Sequence, residues 1–176
     1  MTDTGKLSVF DAECIPQYAA LGIFHCWFSA VELTITYMLA KFCGTIDTEV
    51  FYIVSKGMDA RVKCERLKSI ASRSTTFGKN FTRALKDFEE VVIPTRNALS
   101  HHALLPHPQS DGFLSLRIGK VGEIKNPPTV TSETLRKHAF WLFTLNAAIH
   151  EALHLSPPEE TFEIVDLGRC PPKVSL

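Results

Sequence analysis

Residues 18–39, YAALGIFHCWFSAVELTITYML, constrain the fold of this chain more than any other segment: a long apolar run with no proline to break it. Such a run forms a helix that must be buried almost all round. A membrane span would need the same composition, but His25 and Glu32 sit well inside, and a central carboxylate costs about 2.5–3.5 kcal/mol on insertion. The expectation is therefore a core helix over 17–42, closed by Gly44, with no membrane association. Its polar residues are ordered. His25, Ser29, Glu32 and Thr36 recur at steps of four, three and four and so share one face, which either meets solvent or lines a polar site.

A second charge-poor run, 139–149, lies within a helix expected from Ser132, with Glu133 in its first turn, to about Leu155, stopping before Pro157 and Pro158. Between the two lie a short helix from Asp47 or Thr48 to Lys56 and another from Ala60 to Arg73, capped by Asp59. The inward stripe of the latter is Ala60, Cys64, Leu67 and Ala71. After a loop at 74–78, a long helix is expected over 80–105 on the stripe Phe81, Leu85, Phe88 and Val92. Pro94 falls inside it, and a proline there removes a donor and clashes with the previous turn, so a kink or break is expected just before Arg96. The Asp111-Gly112 turn signal and the alternating stretch 113–118, followed by 121–124, fit a small hairpin. The fold class is thus all-α, a helical bundle with a possible short β-hairpin before the last helix. One domain spans 1–155, and 156–176 is an irregular tail containing prolines.

Apolar residues make up 45% of the chain, enough for one core without staples or metal. Five cysteines without a Cys-x-x-Cys pair point to reduced, mostly buried thiols, and the acidic N-terminus lacks the plan of a secretion signal; both favour a cytoplasmic protein. Lys+Arg 19 balances Asp+Glu 19, so net charge is silent about nucleic acid, but its distribution is not. Between 61 and 86 the basic residues are Arg61, Lys63, Arg66, Lys68, Arg73, Lys79, Arg83 and Lys86, against Glu65 alone, a segment able to attract phosphate or simply a solvated face.

Two patterns bear on chemistry. The first is Arg96-Asn97-x-x-x-His101, with His102 beside it. RNA cleavage without a metal needs a proton-transfer group and a fixed cation to hold the anionic phosphorane, roles that histidine and arginine suit. On an ideal helix Asn97 and His101 share a face, while Arg96 and His101 are about 140° apart. A two-fold pair of chains, or a turn distorted after Pro94, would bring them together. The second pattern is His150-Glu151-Ala152-Leu153-His154, an H-E-x-x-H on a helix, whose histidines fit zinc from one face with the glutamate as base. Its third ligand would have to come from Glu159, Glu160, Glu163 or Asp166. His25 reads as a core or subunit-contact residue and His107 as a loop residue. No P-loop, dinucleotide turn or G-x-S-x-G elbow is present.

The order of these features, a long first helix carrying Trp27-Phe-Ser-Ala-Val-Glu-Leu33, a basic middle helix, a helix with Arg-Asn-x-x-x-His, a short non-helical excursion and an apolar last helix, resembles the HEPN superfamily. The resemblance spans residues 18–155 as a pattern of elements, and its specific part is Arg96, Asn97 and His101, with His102 as the alternative histidine. It implies a homodimer with the motif helices of both subunits at one cleft. It also implies metal-independent endoribonuclease activity, in a toxin–antitoxin or anti-phage setting, with RNA as substrate and an antitoxin or nucleotidyltransferase as possible partner. By that resemblance Arg96 steadies phosphate, His101 transfers the proton and Asn97 orients His101 or RNA, with Glu32 in support. Lys79, Arg83 and Lys86 are the candidate RNA contacts; no metal and no cofactor are called for. Two alternatives remain: an HEPN-like module that only binds nucleotide, RNA or protein, and a zinc-dependent hydrolase built on His150, Glu151 and His154.

Overall fold

A computed structural model describes residues 14–44, 48–73, 77–101, 103–107, 110–116, 130–154 and 167–174. The expected loop residues 74–76, the second hairpin arm at 121–124, His102 and the carboxylates of Glu159, Glu160, Glu163 and Asp166 lie outside them. Two long apolar helices form the spine, α1 (Ile15–Phe42) and α6 (Ser132–His154); they run in the same direction, Phe24 meeting His138 and Thr34 meeting Asn146, and make the most extensive contact between elements. α1 is long and apolar enough to cross a membrane, yet Phe24, Phe28, Val31, Ile35 and Met38 are all buried within the core. Gly44 ends it at φ 66°, a left-handed conformation that a Cβ would strain.

α2 (Thr48–Ser55) and α3 (Ala60–Arg73) follow and both pack on α1. Asp59 caps α3 by accepting the Val62 N–H at 2.8 Å, and Cys64, Leu67 and Ala71 point inward as their spacing requires. Lys63 is also buried, reaching Glu32 of α1 at 3.0 Å. Cys64 is the one fully buried thiol; Cys26, off the core face of α1, and Cys43, just past its end, are exposed, so the thiols are not mostly buried as expected.

The segment expected as one helix over 80–105 is three pieces: α4 (Lys79–Asp87), a π-helical turn (Phe88–Val92) and α5 (Ile93–His101). The disturbance demanded by Pro94 is displaced upstream. Pro94 cannot donate and its ring crowds the carbonyl of the previous turn; widening that turn by one residue, with the Ile93 N–H reaching back to the Phe88 carbonyl, relieves both. Beyond it α5 is regular helix, so the expected distortion after Pro94 is absent. The helix also ends earlier than expected. Residues Ala103–Pro106 are a strand, β1, paired antiparallel with β2 (Gly112–Leu116) in the register Leu105↔Leu114, and β2 pairs with β3 (Val130–Thr131). The described hairpin thus pairs 103–106, which the apolar run had assigned to helix, with 112–116, and the expected arm at 121–124 lies outside the described residues. Thr131 then caps α6 by accepting the Thr134 N–H at 3.1 Å.

Residues 167–174 carry neither helix nor strand, as expected of the tail, but they are docked. The carbonyl of Pro172 meets His138 Nε2 at 3.1 Å, and the Val174 N–H donates to Thr95 Oγ1 at 3.1 Å.

Candidate functional site

Arg96 is placed by stacking before it is placed by any hydrogen bond. Its guanidinium carbon lies 5.4 Å from the centre of the Phe28 ring on α1, and Phe28 stacks in turn on Phe88 of the π turn at 5.5 Å. Arg96 Nη1 also donates to Asn97 Oδ1 at 3.2 Å. The side chain is thus half-buried on α1 with part of its donor fork free, a geometry suited to holding a phosphate oxygen.

His25 joins this cluster, and the sequence reading had not placed it there. It lies one helical turn before Phe28 on α1, edge-on to Phe24 at 5.4 Å, and close enough to Arg96 to feel its charge. Burial first, and the positive charge of Arg96 second, hold its pKa below 6.5, so the imidazole is neutral at pH 7. The polar stripe of α1 had left open whether it faced solvent or a site. Thr36 is buried with its hydroxyl on the Glu32 carbonyl, Glu32 pairs with Lys63, and His25 neighbours Arg96, so three of its four members face protein.

Asn97 and His101 are both exposed, one turn apart on the outer face of α5. His101 makes no hydrogen bond or ion pair with any described residue. Because α5 is regular, Arg96 and His101 diverge by about 140° around its axis, and one chain does not bring them together.

The basic segment is partly consumed by the fold. Lys63 meets Glu32, Lys68 meets Glu89, and Lys86 lies 3.9 Å from Glu90, acids that a count over 61–86 leaves out because they arrive from α1 and the π turn. Lys79, Arg83 and Lys86 remain exposed on α4, about 15–25 Å along the axis from Arg96 at 1.5 Å per residue. In the H-E-x-x-H segment the His150 and His154 rings are 4.9 Å apart and both exposed. Among the described residues no three His, Cys, Asp or Glu side chains converge as metal ligands.

No family model matches the chain, and neither the curated proteins nor the solved structures include a match.

Proposed function

We propose that this chain is an HEPN-type, metal-independent endoribonuclease of the cytoplasm that works as a homodimer, with single-stranded RNA as substrate and an antitoxin or nucleotidyltransferase as a fitting partner. The observation that carries this is the seating of Arg96 on Phe28, with Asn97 beside it and a neutral imidazole, His25, one turn away. In the reaction the substrate's 2′-hydroxyl loses its proton to a histidine and attacks phosphorus. The 2′-O–P bond forms, the P–O5′ bond breaks, and the departing oxygen takes the proton that the histidine received, leaving a 2′,3′-cyclic phosphate and a 5′-hydroxyl. Arg96 would hold the crowded phosphorane and His101 would move a proton.

The divergence of Arg96 and His101 on α5 favours a site shared by two copies, in which the His101 of one chain faces the Arg96 of the other. Ile23, Leu33 and Tyr37 of α1 and Phe143 of α6 stay exposed, and Trp27 stands edge-on to Phe143 at 4.9 Å, an apolar surface suited to self-association. The same divergence also favours a second reading, in which a single chain binds RNA or nucleotide without cutting it.

Incubation of purified protein with single-stranded RNA and with DNA of the same sequence, in excess EDTA, separates these. Cleavage of RNA alone, abolished by Arg96→Ala and by His101→Ala but not by His150→Ala, supports the ribonuclease. Binding without cleavage selects the module, and activity restored only by zinc selects the hydrolase on His150, Glu151 and His154.

A further inference from the structure

A cleft of about 1040 Å³ opens between Asp87 and Val91, the first turns of α6 and the docked segment 167–172, and the chemistry above makes no use of it. Its size suits a small molecule. On one wall Lys137 and Glu133 satisfy each other at 2.7 Å, whereas Arg136 and Arg169, both exposed, have no hydrogen bond or ion pair with any described residue. Counting Arg136, Lys137 and Arg169 against Asp87 and Glu133, the lining carries three cations and two acids, a surplus of one positive charge. Cys170, also on the wall, adds none, since burial pushes its thiol up to about 12.

The opposite chemistry lies beside it. Phe140 leaves 71% of its surface exposed at the cleft, and the neighbouring Trp141 is 4% exposed, its indole N–H without an acceptor among the described residues. Trp141 also borders a void of about 10 Å³ next to Asp87, room for one water at most, so the large cleft is where a ligand has space.

We propose that this cleft binds a small, planar-ringed monoanion, in chemical class an aromatic carboxylate. Its ring lies against Phe140 and Pro171, and its carboxylate meets Arg136 and Arg169. A guanidinium pair would accept phosphate equally well by geometry, but a dianion would exceed the single surplus charge of the lining. The site is independent of RNA cleavage.

Calorimetric titration of the full chain at neutral pH with 2-naphthoate tests it, against the uncharged naphthalene-2-carboxamide, the ring-less acetate and the dianionic 2-naphthyl phosphate. 2-Naphthoate should bind tightest, by at least about tenfold over the carboxamide, the scale of a lost charge-assisted hydrogen bond. Arg136→Gln and Arg169→Gln, which alter exposed side chains, should each weaken it by a similar factor, with helical circular dichroism unchanged. Equal binding of the carboxamide, affinity untouched by both arginine variants, or no binding at all would overturn the proposal. Tighter binding of the naphthyl phosphate would overturn its charge match.

Discussion

The Thr95 hydroxyl joins two parts of the chain 79 residues apart: it donates to the Val91 carbonyl at 2.8 Å and accepts the Val174 N–H at 3.1 Å. Thr95 is fully buried, next to Arg96 and just past the π turn, so one side chain both back-bonds to the preceding turn and clips segment 167–174 behind the motif. Thr95→Val keeps the shape and strands the buried Val174 N–H, which should destabilise the fold by about 1–3 kcal/mol. Urea unfolding together with amide exchange at Val174 checks this; unchanged protection of that amide would mean the clip does not hold in solution.

The Glu32–Lys63 pair ties α1 to α3 with the lysine side chain 8% exposed and the glutamate 31%. Removing one partner of a fully buried pair costs about 3–5 kcal/mol, and water reaching Glu32 reduces that, so Glu32→Gln should cost about 1–3 kcal/mol. Adding Lys63→Met should recover much of the loss, because the stranded charge goes with it. A denaturation midpoint for Glu32→Gln equal to that of the parent would show the pair to be dispensable.

What could be read in advance divides along the range of the forces involved. Ala60–Arg73 and the end of α1 were legible because Asp59, Gly44 and the stripe through Cys64, Leu67 and Ala71 are local signals. Pro94 announced a disturbance but not its place, since the π turn depends on how Phe88 and Val92 both reach the core. Ala103–Pro106 continues an apolar helical run in sequence and becomes a strand only by pairing with β2. For the site, the shared face of Asn97 and His101 followed from their spacing of four. The approach of His25 to Arg96, and of Glu32 to Lys63, is a matter of helices packing across long sequence separations, which no local pattern carries.

His138 is fully buried, and burial lowers its pKa below 6.5 even though the Pro172 carbonyl, accepting from its ring, acts the other way. The unfolded chain therefore takes up the proton first as pH falls. Stability from this group is complete above pH 6.5 and is lost as pH drops through the lowered native value. His25 acts in the same direction. Urea midpoints should accordingly decline below pH 6.5, and the decline should be shallower in His138→Gln, whose side chain still donates to Pro172 and does not titrate. An equally steep decline in that variant would place the acid sensitivity elsewhere.

Because burial is the larger cause of the lowered His25 pKa and Arg96 the smaller, the two can be separated by titrating the imidazole in variants of the arginine. Arg96→Gln deletes the positive charge and keeps a polar side chain over Phe28, so the His25 pKa should rise toward 6.5 without reaching it, since burial against Phe24 persists. Arg96→Lys keeps the charge and should leave the pKa near that of the parent, while losing the planar stack on Phe28 and the donor fork. Nitrogen-detected magnetic resonance across pH 4–9 reads both. Electrostatic coupling also requires that an anion bound at Arg96 raise the His25 pKa in the parent, because the added negative charge offsets the guanidinium. Titration in the presence of a non-cleavable 2′-deoxy oligonucleotide supplies that anion, and it should have no such effect in Arg96→Gln. A His25 pKa indifferent to both the variant and the oligonucleotide would separate the two residues and leave Arg96 without its neutral imidazole neighbour.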